Sequence, residues 1–206
     1  MKFFSLDSKF YRIMMSMGEM MILNFCWIVA CLPLITIGAA NTAMYTVMGR
    51  RLREESSGTV VPFFRAFWSN LKKSTLFWLA QLFITISLGL FFFLPLPTFL
   101  KVVAGVLLVL VTLVFSTIYP QIARFRNQTF AYLRNAFILP VLRLKWVLQN
   151  FLVILLPLII FLLVPVEFIR LGFLWILIGF SGIFYMSAKV MQRVLQPLED
   201  LSQSGT

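Results

Sequence analysis

The chain has 206 residues, of which 61% are hydrophobic, 16% aromatic and only 12% charged, against roughly a quarter charged in soluble domains. A water-soluble fold of this length lacks the interior to hide so much apolar surface, so lipid is its expected solvent. Eighteen basic residues against seven acidic give a net charge of +11, but they sit in short segments between apolar runs. That is how orientation signals are distributed, and it excludes a nucleic-acid-binding face.

Residues 20–49 form an uncharged run of thirty. As one helix it would be about 45 Å long, half as long again as a hydrocarbon core of about 30 Å. Pro33 lacks an N–H and biases Leu32 away from helix, Thr36 is suited to cap a new helix, and Gly38 tolerates tight geometry. Pro33, Thr36 and Gly38 therefore mark a candidate break between helices over about 11–32 and 37–53. Cys26 and Cys31 lie five apart inside the run, which fits neither a CxxC motif nor a disulfide framework, and they are expected as small apolar residues. Lys2, Lys9 and Arg12 ahead of an apolar stretch and Gly38-Ala39-Ala40 have the parts of a cleavable signal. Arg50, Arg51 and Arg53 just beyond the supposed cut oppose export, so the run is expected to stay in the membrane.

Four further uncharged runs follow. Helices are expected over about 75–94, 102–121, 146–164 and 168–190, all in one membrane domain over 1–206. Stretches such as 106–114 and 154–163 are apolar on every side, which excludes the alternation of a β-barrel. The fold class is therefore all-α, a polytopic transmembrane bundle. Six membrane helices with both termini cytoplasmic place sixteen of the eighteen basic residues inside, leaving Lys101 and Arg170 outside. Five crossings, with 37–49 as a re-entrant half-helix, place thirteen inside and five outside. The six-helix count satisfies the positive-inside rule better, while the short 37–49 stretch keeps the alternative open. External turns are brief, so extensive contact with a soluble partner is expected from the inner side. Trp68, Trp78, Tyr119, Tyr132 and Trp146 fall near the expected interfaces, as an aromatic belt would.

Two cytoplasmic connections, about 60–73 and 128–145, are expected to supply one or two interfacial amphipathic helices. In the first, Phe63, Phe64, Phe67 and Leu71 recur at helical spacing opposite Arg65, Ser69 and Lys72, with Lys73 adding to the cationic side. Phe63, Phe64, Arg65, Phe67, Lys72 and Lys73 are thus candidate contacts for anionic lipid or for a docked cytoplasmic partner. The halves rhyme weakly, since Tyr45 precedes Arg50 and Arg53 much as Tyr119 precedes Arg124 and Arg126.

The chain has no histidine, and it shows no metal-ligand cluster, paired carboxylates, nucleophile elbow or phosphate-binding glycine loop. No catalytic, metal or cofactor site is expected, and the chain does not read as an enzyme. Glu19 is the one acid within an expected helix and a candidate intramembrane site, with Arg12 as its expected ion-pair partner. Asn24, Asn41, Gln81, Gln121, Gln149 and Asn150 are expected to bridge helices, and Pro157 to kink one.

The string Leu32-Pro33-Leu34-Ile35-Thr36-Ile37-Gly38-Ala39-Ala40, with Ala43 and Tyr45, then Phe63-Phe64-Arg65-Ala66-Phe67 and Asn70-Leu71-Lys72-Lys73, resembles the YesL-like family of bacterial membrane proteins. The resemblance covers about the first 80 residues closely. It implies a small protein of the Gram-positive cytoplasmic membrane, often encoded beside carbohydrate uptake and degradation systems, and it supplies no activity. Two functional expectations follow. One is an accessory or regulatory subunit linked to carbohydrate uptake, contacting a membrane transport complex or sensor through the inner connections. The alternative is a small solute transporter or channel with its site at the helix break.

Overall fold

The computed structural model describes residues 9–55, 58–125 and 129–204, all helical apart from short connections and without a strand among them. Helix α1 (Lys9–Cys31) ends at Pro33, a single 3₁₀ turn (Leu34–Thr36) follows, and α2 (Ile37–Leu52) returns antiparallel to α1. Helix α3 (Val60–Leu90) and α4 (Thr98–Arg124) form a long hairpin, and α5 (Thr129–Leu142) leads into α6 (Leu144–Leu163). The last span is built in pieces: α7 (Pro165–Arg170), α8 (Gly172–Leu174), a π turn (Trp175–Gly179) and α9 (Phe180–Ser204). Five segments, Ile13–Cys31, Val60–Leu90, Thr98–Arg124, Leu144–Leu163 and Gly172–Leu195, are long and apolar enough to cross a membrane. Large apolar side chains such as Phe83, Leu110, Leu162 and Phe173 point outward along them, as lipid-facing residues do.

Helix α2 is shorter than the spans packed around it. Its 16 residues make about 24 Å, and it packs against α1, α3, α4 and α9. Gly38, Ala39, Ala40, Thr42, Ala43, Met44, Tyr45, Val47 and Met48 are all buried, so nearly every side of it meets protein. Small residues let α3 approach closely: a Cβ at Gly38 would collide with the Ser74 carbonyl oxygen and Trp78 Cβ. One turn on, the Thr42 and Ser74 hydroxyls hydrogen-bond at 2.8 Å. The principal core joins α2 to Leu23 and Ala30 of α1 and to Phe63, Ala66 and Phe67 of α3. A second cluster joins α3, α4 and α5 through Phe77, Ile118 and Tyr132, and a third joins α4, α5, α6 and α9 through Leu113, Leu139, Val147 and Met191.

The structure corrects several expectations. The segment 60–73 is no separate interfacial helix: it is the first half of the 31-residue α3, which has Pro62 only in its first turn, where no N–H is missed, and no glycine before Gly89. In the second connection α5 is its own helix, as expected, with Tyr132, Ala136 and Leu139 buried along one stripe and an exposed flank that sets Arg134 among Phe130, Phe137 and Val141. The connection between the helices expected over 146–164 and 168–190 is itself helical. Of the aromatic belt, Tyr119 and Tyr132 are core residues and Trp78 is half-buried against α2, because the cores of α3 and α4 lie at those levels.

Gly38→Val is expected to lower stability by about 1–3 kcal/mol or more, since neither the Ser74 backbone nor the α2 axis has room to yield. Thermal unfolding of the purified protein in detergent measures it.

Candidate functional site: a central cavity and a basic cleft

The helix break is closed by its own side chains. The Thr36 hydroxyl reaches the Ala30 and Pro33 carbonyl oxygens, each at 2.7 Å, and Trp78 Nε1 donates to the Leu34 carbonyl at 2.8 Å. Pro33, Thr36 and Gly38 therefore serve the turn and its packing, with the Ala30, Pro33 and Leu34 carbonyls taken up inside the fold. The outward residues of this tip are apolar, with Leu32 74% and Leu34 72% exposed.

Beyond the N-terminal half of α2 lies a cavity of about 310 Å³ to which α1, α2, α3, α4, α6 and α9 all contribute. Its polar wall is prearranged. Trp27 Nε1 donates to Asn41 Oδ1 at 3.0 Å, and the Tyr119 hydroxyl donates to Gln81 Oε1 at 2.8 Å. Each bond fixes an amide by its oxygen, and among the described residues neither Asn41 Nδ2 nor Gln81 Nε2 has an acceptor. Aromatic and apolar walls come from Trp78, Phe180, Phe184 and Ile154, and Pro157 of α6 lies beside them. Among the described residues no Asp, Glu, Lys or Arg lines the space.

Tyr45 stands at its floor. Ser187 donates its single proton to Asn150 Oδ1, so the 2.6 Å contact between Tyr45 and Ser187 has the tyrosine hydroxyl as donor. This buried relay ties α2, α9 and α6 together. Nearby, Asn24 of α1 holds the π turn: its Nδ2 donates to the Trp175 and Ile176 carbonyls, and its Oδ1 accepts the Ser181 N–H at 2.9 Å. A π turn widens the helix and redirects its carbonyls, and here Asn24 satisfies two of them.

At the other end of α2 the cations collect. A cleft of about 520 Å³ between α2, α3 and α4 is lined by Arg50, Arg53, Arg65, Lys73 and Arg124, with Glu55 the one acid among its described lining residues. Arg53 Nε donates to Glu55 at 2.9 Å, which holds that carboxyl below the usual carboxylate range, with the fields of Arg50 and Arg124 acting the same way. A narrow gap of about 30 Å³ beside Tyr45, Thr46, Arg53 and Arg124 lies between cleft and cavity.

The expected site residues fall out as follows. Glu19 pairs with Arg51 at 3.0 Å: α2 runs antiparallel to α1, which brings Arg51 against Glu19 and, at 2.7 Å, the Ser16 hydroxyl. The Arg12 side chain lies outside the described residues. Glu19 thereby clamps α1 to α2. Phe63 and Phe67 are buried in the core and Phe64 is half-buried, so only Arg65, Lys72 and Lys73 of the expected contact surface remain exposed. The two rhyming segments meet in space, since Tyr45 and Tyr119 both line the cavity while Arg53 and Arg124 both line the cleft. Arg126 lies outside the described residues. The cavity itself was not anticipated. Its signal was the set of helix-borne Asn, Gln and Tyr residues, whose spacing does not reveal that they share one space.

Taken together, the helices define an all-α multi-pass membrane protein with a polar pocket among its spans. Residues 20–94 match the model of a family described as protein of unknown function, DUF624, to which YesL-like proteins belong. The matched stretch runs from α1 through α3 and so contains the break, α2 and two walls of the cleft. Neither a curated protein nor a solved structure matches the chain.

Ser187→Ala leaves the buried Tyr45 hydroxyl and the Asn150 carbonyl without their partner, whereas Tyr45→Phe leaves the Ser187 to Asn150 bond in place. The serine variant is expected to cost about 1–3 kcal/mol and the tyrosine variant about 0.5–1.5 kcal/mol. Reversal of that order in thermal unfolding would show that the relay is not buried as described.

Proposed function

We propose that the chain is an accessory or regulatory protein of the bacterial cytoplasmic membrane whose central cavity senses a small uncharged, hydroxyl-rich solute, a sugar or polyol. The observation that carries this reading is the cavity wall. Two amides fixed through their oxygens offer NH₂ donors, indole and phenyl faces offer stacking surfaces, and no charged side chain is present. Those groups suit neutral hydroxyl-bearing molecules and give an ion no counter-charge. At about 310 Å³ the space is at the small end of the roughly 300–1,000 Å³ of small-molecule sites.

Transport by the same cavity is the second reading. Against it stand the sealed helix break and the relay at the floor, both of which must open for a solute to pass. Contact with a transport complex or sensor would use Arg65, Lys72 and Lys73 at the basic end. The topology we propose has both termini and every basic connection on the cytoplasmic side, with only Lys101 and Arg170 beyond. The Arg51–Glu19 pair supports the first part, because it sets the C-terminal end of α2 beside the N-terminal half of α1. Six membrane helices then form the bundle, of which α3, α4, α6 and the last span cross it completely. The tip at Leu34 rests on Trp78, beyond which α3 continues to Leu90 for about 18 Å, so α1 and α2 form a hairpin whose apolar tip stops within the hydrocarbon.

Titrating the purified protein with neutral monosaccharides, disaccharides and polyols is expected to change tryptophan fluorescence saturably, through Trp27 and Trp78. Gln81→Ala is expected to weaken binding about three- to tenfold. A panel without any saturable response removes the proposal, and solute flux into reconstituted liposomes would promote the transport reading instead. For the topology, Leu34→Cys in a background lacking Cys26 and Cys31 is expected to resist membrane-impermeant maleimide from both sides. Rapid labelling from outside would place the tip in water.

A further inference from the structure

We infer that the basic cleft between α2, α3 and α4 is a binding site for a phosphate-bearing ligand. The positive-inside rule explains why cations lie at this end, but orientation alone asks only for charge near the membrane surface, in any arrangement. Here the arrangement is concave. Thr46, Arg50 and Arg53 follow one stripe of α2, Arg65, Ser69 and Lys73 follow one stripe of α3, and Arg124 closes the C-terminal end of α4. The stripes face a common space of about 520 Å³ whose lining is mostly polar, and Asn70 adds an amide to the hydroxyls of Thr46 and Ser69.

Among the described lining residues the cations outnumber the acids five to one. Among the described residues neither Arg50 nor Arg65 makes an ion pair. The single acid, Glu55, is held by Arg53 at the exposed rim. Two helix C-termini, those of α2 and α4, bring roughly half a negative charge each, which leaves the balance clearly positive. Guanidinium forks match phosphate oxygens in pairs, and several forks with neighbouring hydroxyl and amide donors suit a phosphate group better than a lone carboxylate. Phosphate of this kind reaches the cleft either as a soluble phosphorylated compound or as an anionic lipid headgroup. Lys72 provides the internal control, being exposed on the same helix but not among the residues that line the cleft.

The test uses the full chain in phosphatidylcholine nanodiscs, titrated with inorganic phosphate and pyrophosphate while thermal unfolding is followed, with chloride at matched ionic strength as reference. A saturable rise in Tm is expected. It should require at least about tenfold more ligand in Arg65→Gln and, independently, in Arg50→Gln, and be unchanged in Lys72→Gln. A parallel arm uses an equimolar mixture of phosphatidylcholine and phosphatidylglycerol. If the soluble anions stabilise the protein and phosphatidylglycerol leaves their titration intact, the ligand is a soluble phosphate compound. If phosphatidylglycerol itself stabilises the protein or blocks the titration, with loss in Arg65→Gln and retention in Lys72→Gln, the ligand is a lipid headgroup. The inference is overturned if neither form of phosphate stabilises more than chloride. It is equally overturned if Lys72→Gln loses as much as the cleft variants, because the effect is then diffuse surface charge.

Discussion

The architecture depends on one close contact, the approach of α2 to α3 at Gly38, Thr42 and Ser74. Within hydrocarbon there is no hydrophobic drive to pull one apolar helix onto another, so association rests on packing, hydrogen bonds and the small residues that let backbones meet. The same contact brings Trp78 to the Leu34 carbonyl, which gives one carbonyl of the non-helical turn a partner. The turn in turn sets where α2 begins. A helix of 16 residues at the centre of longer spans fills the basic end of the bundle and leaves the space beyond it unfilled, which is where the cavity lies.

The two concave sites are thus consequences of one short helix. Its N-terminal half presents Asn41 and Tyr45 to the cavity, and its C-terminal half presents Arg50 and Arg53 to the cleft. Tyr45 and Thr46 sit between, next to the narrow gap that both sites approach. A solute that altered the Tyr45, Ser187 and Asn150 relay would act on α2, α9 and α6 at once, because those side chains join the three helices. The chemistry of the two spaces differs sharply: neutral amides and indoles in one, guanidinium groups in the other.

Much of the helical pattern is legible without coordinates. A thirty-residue uncharged run with Pro33 inside it is too long for one span, so the presence of two helices there follows from length and from the proline's missing donor. The same logic misjudges 60–73. Its aromatic and basic residues alternate at helical spacing, which describes an amphipathic surface helix and equally a core helix whose polar face lines a cleft. Phe63 and Phe67 turned inward because α2 offered them a protein surface, a partner invisible to periodicity. Glu19 makes a related point: the antiparallel return of α2 brings Arg51, distant along the chain, against it.

From the sequence alone came the solvent, the helical class and the end at which positive charge accumulates, since these depend on composition and on the run lengths that a bilayer imposes. Tertiary structure alone decided which polar residues share a space. Asn41, Gln81 and Tyr119 belong to three helices, and their convergence depends on crossing geometry and on the depth at which α2 stops. A linear pattern records the faces of each helix separately. The facing of one helix by another is set by side-chain packing between segments distant along the chain.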